Sequence, residues 1–413
     1  MKKYLVGGAV RDKLLNLPVK DKDYVVVGLT HEDMVERGFV MTGKSFAVYR
    51  DSNGDEHALA RKEVKTSSGH TGFNATYENV SLEEDLARRD LTINAMAYDE
   101  QTKQTIDPYG GCHDLANRIL RHTSPAFSED PLRVLRVARF AARYHDLGFT
   151  IADETMSLMA TLSESGELDS LSGNRIWTEL EKTLSDPHPE VFIRTLHECG
   201  ALAKILPEVD RLFGIPQPPA HHPEGDVGTH SLLCMQVASR CGYSKEVIFA
   251  ALIHDIGKAL TPKDKYPKHH NHEVLGLDAL DAIKVRLPLP NSYLDVAKIG
   301  VRYHGIAHSA FELRPNTLLK TMLGIDCIRK PSNMTALIQV ASCDANGRGL
   351  PYASYEQGSY LEKALKSLSK INSKEEISKG PNPAEAIYRA RLKVLSQYVN
   401  SHNNQVGLQH GFG

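Results

Sequence analysis

Paired cysteines are missing from this sequence. Its six cysteines (Cys112, Cys199, Cys234, Cys241, Cys327 and Cys343) are scattered and form no CxxC pair. That argues against a thiolate zinc site and fits a reducing, cytoplasmic compartment. Aromatic residues are few, at 7% with one tryptophan. No apolar run approaches the length needed to span a bilayer, so no membrane partner is expected. The opening Met1-Lys2-Lys3-Tyr4-Leu5-Val6-Gly7-Gly8 has too short an apolar run for a signal peptide, and glycines interrupt it. Charge of one sign is also lacking: the formal net charge is −2. Nucleic acid would therefore not be drawn to the whole molecule, only to local Lys/Arg patches. There is neither an internal repeat nor a long low-complexity tract.

What is present is an ordinary globular composition, 41% hydrophobic and 24% charged over 413 residues. Such a length suggests about two to four structural units, large enough to stand without disulfides. Residues 1 to about 110 read as mixed α/β. Tyr4–Val6 and Tyr24–Val27 have strand composition, and Ala9–Leu15 has helical spacing that ends at Pro18. Ala47–Tyr49 and His57–Arg61 suggest two more strands, and the Gly/Ser/Thr/Asn-rich stretch 64–80 suggests a mobile loop. From about 111 the pattern turns helical, with Leu132, Leu135, Val137, Ala138, Phe140 and Ala141 in helical period. Gly214–Gly228 carries four prolines and is the best boundary in the second half. A last amphipathic helix is expected near Glu385–Tyr398. The expected division is 1–110, 111–213, 214–350 and 351–413.

Asp21 and Asp23 flank Lys22 just before the strand Tyr24–Val27. Alternate residues of an extended chain face the same side, so two carboxylates can converge there. Such hard oxygen ligands suit Mg²⁺. Metals held there could activate a hydroxyl and neutralise a triphosphate. A lone DxD is weak evidence, because solvated turns supply many. Upstream, however, Gly7-Gly8-Ala9-Val10-Arg11-Asp12 reads as strand, glycine turn and helix, a place where backbone N–H groups can meet a phosphate. Arg133, Arg136, Arg139 and Arg143 form a basic patch within one predicted helix.

These segments together resemble the head of the DNA polymerase β nucleotidyltransferase superfamily, and more narrowly the bacterial class II CCA-adding tRNA nucleotidyltransferases. The resemblance runs on through Asp85-Leu86-Ala87-Arg88-Arg89-Asp90, Ile106-Asp107-Pro108-Tyr109 and Glu129-Asp130-Pro131-Leu132-Arg133. It spans residues 4–145, with its motifs in order. It implies an α+β fold: a small mixed-sheet nucleotidyltransferase head, a mostly helical body and an all-α HD domain. It also implies that Asp21 and Asp23 hold catalytic Mg²⁺ and that Gly8, Arg11, Arg89, Arg136 and Arg139 contact CTP or ATP. Arg88-Arg89-Asp90 would read the ribose, and Asp130 with Arg133 would be a protein template for the base. Three residues apart, those two would share a helix face. The carboxylate would accept from the exocyclic amine of C or A, and the guanidinium would donate to the ring acceptor beside it. A third catalytic carboxylate is Glu56, with Glu63 the competitor.

Nine of the 19 histidines lie between residues 221 and 308. His254-Asp255 ends the apolar run Val247–Ile253, His230 lies upstream and Asp344 far downstream. This resembles the HD phosphohydrolases, which implies that His230, His254, Asp255 and Asp344 bind a divalent metal that activates water against a phosphate. Imidazole ligands suit Ni²⁺ or another transition ion better than Mg²⁺. His269, His270, His272 and His304 could add ligands or phosphate contacts, and Lys258 could neutralise a phosphate. His221, His222 and His308 are read as surface residues.

The expected function is addition and repair of the tRNA 3′-terminal CCA, without a nucleic-acid template. By resemblance, the HD domain adds 2′,3′-cyclic phosphodiesterase, 2′-nucleotidase and phosphatase activity. A poly(A) polymerase or partial CC-adding enzyme shares the head, though a poly(A) polymerase of this type would usually carry a longer N-terminal extension and a strongly basic tail. A third reading is an HD phosphohydrolase with an RNA-binding head. Monomer and homodimer both stay open.

Overall fold

The computed structural model describes residues 2–19, 21–42, 48–65, 73–220, 222–372, 376 and 382–410, with only the backbone of 63–65, 73–74 and 405–410. The chain divides into two compact units, Met1–Ile205 and Leu206–Gly413.

The first unit opens with β1 (Lys2–Val6), α1 (Gly8–Leu14) and β2 (Asp23–Val27). Next come α2 (His31–Glu36), β3 (Val40–Met41), β4 (Val48–Arg50) and β5 (Glu56–Leu59). Beyond these lie β6 (Lys62–Lys65), β7 (Phe73–Thr76), α3 (Leu82–Ala87), β8 (Ala97–Asp99) and β9 (Gln104–Ile106). The main sheet has the order β3-β4-β5-β2-β1-β8-β9. Within this sheet, among the described residues, only β2 and β5 pair in parallel, and that register sets Asp23 beside Glu56. The β-branched run Val25-Val26 is buried, as a central strand requires. Helices α2 and α3 start with capping boxes, Thr30 with Asp33 and Ser81 with Glu84, which satisfy otherwise orphaned N–H groups. The stretch 64–80 is not simply a loop. Its described ends belong to β6 and β7, which pair antiparallel, while 66–72 lie outside the described residues.

The rest of this unit is mostly helical: α4 (Gly111–Asn117), α5 (Leu132–Arg143), α6 (Asp153–Glu164), α7 (Gly173–Thr183), α8 (Pro189–Glu198) and α9 (Leu202–Ile205). Helix α5 is the pivot. Val134, Leu135, Val137, Ala138 and Ala142 are buried, while Arg136 and Arg139 pair with the acids Asp90 and Glu179.

The second unit is all helix among the described residues: α10 (Pro207–Asp210), α11 (Val227–Arg240), α12 (Lys245–Ile253), α13 (His272–Arg286) and α14 (Asn291–His308). It continues with α15 (Pro315–Gly324), α16 (Ser332–Asn346), α17 (Glu356–Leu368) and a last helix, Pro383–His410, longer than expected. Helix α12 is apolar all round, and Val247–Ile253 is entirely buried, so its end at His254 lies deep inside. Two glycines allow α13 to approach the turn after α12. A Cβ on Gly257 would stand 1.9 Å from the His272 carbonyl, and one on Gly276 2.6 Å from Val301. The compact division falls after Ile205, and the Pro-rich segment 214–228 belongs to the second unit. It folds back on itself, with Val227 N–H donating to the Ile215 carbonyl and Gly228 N–H to that of Leu212.

Candidate functional site

Each unit carries one constellation. In the first, Gly7 takes φ +66°, which opens the turn from β1 into α1. The Arg89 guanidinium lies 3.0 Å from where a Cβ of Gly7 would stand, and that of Arg11 3.3 Å from the Cβ position of Gly8. Arg11 is itself buried. It donates to the Asn94 and Asp12 side chains and sits over the rings of Phe140 and Tyr144. Asp23 starts β2, with Glu56 in register beside it; Asp21 is exposed two residues before. The Asp23 carboxyl, exposed at the strand end but partly desolvated by the atoms packed around it, is pushed above its ordinary pKa first by that desolvation and then by the charge of Glu56; Arg89 opposes and Asp21 adds. Crowded acids facing an arginine fit a divalent cation, which would relieve their repulsion. Glu56 also accepts from Arg50 at 2.8 Å. Glu63 is on β6, in the separate two-stranded sheet, and its side chain lies outside the described residues.

The remaining head residues are tied to internal partners. Asp90 accepts from the Leu91 amide and Asn94 through one oxygen and from Arg136 at 2.7 Å through the other. Burial alone would raise its pKa; the Arg136 charge and these donors outweigh that and hold it well below the carboxylate range. Arg139 donates to buried Glu179 at 2.6 Å. Arg89 pairs with Asp85 at 3.3 Å, and its buried Nε has no hydrogen-bond partner.

The expectation that Asp130 and Arg133 share a helix face is corrected. Asp130 has extended backbone, φ −122° and ψ 105°, because it precedes Pro131, which disfavours helix at that position. Asp130 accepts from the Leu132 amide and pairs with Arg175 at 2.7 Å. Arg133 donates to the carbonyls of Ala126 and Arg88. Sequence reading missed Arg175 and Glu179, both on α7, which packs on α5. Their one signal was helical spacing, which nothing tied to the distant acid and arginine.

In the second unit, His230 on α11, His254 and Asp255 after α12, and Asp344 on α16 converge. His230 Nε2 is 3.0 Å from Asp344 Oδ1, and His254 Nε2 is 3.3 Å from Asp255 Oδ2 and 3.9 Å from Asp344. His272 and His304 join them, each with Nε2 within 3.4 Å of Asp255 Oδ1. His230, His254, His272 and His304 all direct Nδ1 at a backbone carbonyl: Gly347, Ala251, His269 and Gly300. A carbonyl only accepts, so each Nδ1 carries the proton and each Nε2 is left for the centre. His254 Nε2 and Asp255 Oδ1 are buried without a hydrogen bond, although ionic atoms crowd both. Those orphans, with imidazole and carboxylate donors converging, fit one or more divalent cations.

Several expectations change here. His308 is no surface bystander: its Nε2 is 2.8 Å from Asp344 Oδ2, and Tyr355 contacts its Nδ1. His222 shares Glu224 with His230. His221 lies outside the described residues. His269 is turned to Thr261 and the Pro216 carbonyl, and His270 is exposed. Lys258 is spent on Asp255 at 2.6 Å and on Gln217. Burial would raise the Asp255 pKa, but the Lys258 charge beside it holds it well below the usual range.

A mixed sheet with paired acids beside a glycine turn, followed by helices and then a buried histidine–aspartate cluster, defines a nucleotidyltransferase joined to an HD domain. Residues 3–121 match the poly A polymerase head domain, 148–213 a probable RNA and SrmB-binding site of polymerase A, and 227–324 the HD domain. The chain is 49% identical to the multifunctional CCA protein of Teredinibacter turnerae, over 96% of this chain and 97% of that one. It is also 49% identical to that of Pseudomonas aeruginosa, over 96% and 98%. The chain belongs to the multifunctional CCA proteins. A CCA-adding enzyme in an apo form shares the fold at TM-score 0.63 and 21% identity, covering 98% of this chain and 92% of that one. So does a Thermotoga maritima CCA-adding enzyme complexed with tRNA, at TM-score 0.59 and 21% identity, over 97% and 91%. Among the described residues no helix is long and apolar enough to cross a membrane.

Proposed function

We propose that this protein adds and repairs the CCA end of tRNA from CTP and ATP in the cytoplasm, and hydrolyses phosphates at its HD centre. The observation that carries the transferase reading is the β2–β5 register, which sets Asp23 beside Glu56 next to the Gly7–Arg89 turn. Asp21, Asp23 and Glu56 would hold Mg²⁺, which when bound neutralises triphosphate charge and lowers the pKa of the attacking 3′-hydroxyl. The Gly7-Gly8 backbone, Arg11 and Arg89 would bind phosphates; Asn94 and the Phe140 and Tyr144 rings hold Arg11 ready. Arg136 and Arg139 would line the nucleotide, each steadied by an acid, Asp90 or Glu179.

Asp130 and Arg133 would select the base. Asp130 accepts from the exocyclic amine of C or A, and uracil offers a carbonyl there instead. To do so Asp130 exchanges its bond to Arg175 for one to the base, and Arg133 gives up a carbonyl. Asp90 would act on the ribose through the residues it fixes, since both its oxygens are already engaged.

In the second unit His230, His254, Asp255 and Asp344 would hold a transition ion such as Ni²⁺, with Asp255, His272 and His304 a second position; the bound ion supplies an activated water. His308, oriented by Tyr355, would keep Asp344 ionised and in place.

The test is extension of tRNA lacking its CCA end, with CTP alone and then with CTP plus ATP. Addition that stops after the full CCA supports the proposal. A long A tract indicates a poly(A) polymerase, and addition limited to C with both nucleotides present a partial enzyme. If Asp21→Ala still extends, the site assignment is wrong.

A further inference from the structure

Cys234 stands one helical turn after His230 on α11, so the two side chains share a face. Its sulfur is 3.4 Å from His230 Nε2, the nitrogen that faces the centre. Ligand atoms of His230, Cys234 and His254 all lie within 4.8 Å of one another, and all three residues are buried. At ordinary bond lengths of roughly 2.05 Å to nitrogen and 2.3 Å to sulfur, donors 3.4 Å apart subtend roughly 100° at a shared ion, close to tetrahedral. The chain also makes room for this thiol. Gly347 follows α16 at the point where a Cβ would come within 2.3 Å of the Cys234 sulfur. A cysteine serving only as a small apolar filler needs apolar neighbours; this one abuts an imidazole Nε2. His254 Nε2, buried without a hydrogen bond among the described residues, faces the same centre.

We propose that Cys234 is a thiolate ligand to the ion held by His230 and His254. The inference rests on reading this cluster as a metal centre and adds the donor that sets metal choice. As the metal–sulfur bond forms, the thiol proton leaves to solvent, and the thiolate adds one negative charge to those of Asp255 and Asp344. Soft sulfur favours late transition ions such as Co²⁺, Ni²⁺ or Zn²⁺ and disfavours Mg²⁺ and Ca²⁺. The lack of a CxxC pair therefore does not exclude sulfur from the site.

Cobalt reports the bond directly. The full-length, metal-free protein titrated with Co²⁺ alone should show visible d–d bands together with a near-ultraviolet sulfur-to-cobalt charge-transfer band. Cys234→Ser should keep the d–d bands, lose the charge-transfer band and bind Co²⁺ at least about tenfold more weakly. His254→Ala should lose the charge-transfer band too, which separates Cys234 from the other five cysteines. Wild-type d–d bands without charge transfer overturn the ligand assignment while leaving the metal centre standing, even if neither variant folds. An unchanged charge-transfer band in Cys234→Ser overturns it equally. Absence of every cobalt band in the wild type overturns the metal-centre reading, and the proposal with it.

Discussion

The two units hold charge in opposite ways. In the first, the acids proposed to bind a cation stand at the rim: Asp21 and Asp23 are exposed, and Glu56 is partly so. Of the basic residues beside them, Arg11 is buried and Arg89 partly so, each steadied by an acid or amide. In the second unit the acids are inside, with Asp255 1% exposed and Asp344 6%, walled by imidazoles. An open rim leaves coordination positions that a triphosphate can complete, as suits a hard ion that keeps several outside ligands. A closed cluster supplies most donors itself and can afford softer ones. On the proposed assignment, the two phosphate chemistries would draw on different ions.

The strongest way to break this comparison is to empty one centre and watch the other. Asp23→Ala should cut nucleotide addition by about a thousandfold or more, the loss of several kcal/mol of charge stabilisation, and leave phosphate hydrolysis unchanged. His254→Ala should do the reverse, read by hydrolysis of a 2′,3′-cyclic nucleotide. Loss of both activities in either variant would mean that the centres are not independent. Next in size is Arg139→Ala, which leaves buried Glu179 with the more distant Lys182 in place of its 2.6 Å partner. It should destabilise the protein by about 3–5 kcal/mol, seen as a lower urea midpoint. Gly257→Ala forces a methyl against the His272 carbonyl and should cost about 1–3 kcal/mol or more; hydrolysis should fall much further than addition.

The smallest effect is one of pH. The folded pKa of Asp90 is depressed, so its carboxylate binds fewer protons folded than unfolded. Its stabilisation is full above the ordinary carboxylate range and is lost as pH falls below it. Arg136→Ala should flatten that acid-side slope, measured by denaturant midpoints at descending pH.

The general architecture was legible because its signals are local. A glycine turn before a helix, alternate acids at a strand start and an apolar run ending in His-Asp each announce themselves within a few residues. Glu56 was legible only as a candidate; parallel pairing with β2 is a long-range fact. Asp130 was misread because helical spacing with Arg133 carried more weight than the proline between them. His222 and His308 were set aside because a lone histidine looks like any surface histidine until Glu224 and Asp344 arrive from distant segments. Arg175 and Glu179 were invisible for the same reason: their partners lie 45 and 40 residues away.

The Pro-rich segment 214–228 is not a bare linker but folds onto the histidine cluster. Glu224 within it reaches His230 Nδ1 at 2.7 Å, and Gln217 accepts from Lys258. A fragment meant to carry the histidine cluster and starting at residue 229 would discard the carboxylate that orients its first imidazole. One that starts at Leu206 would keep it. Where the chain is cut thus decides whether the severed half keeps the carboxylate that holds its first imidazole.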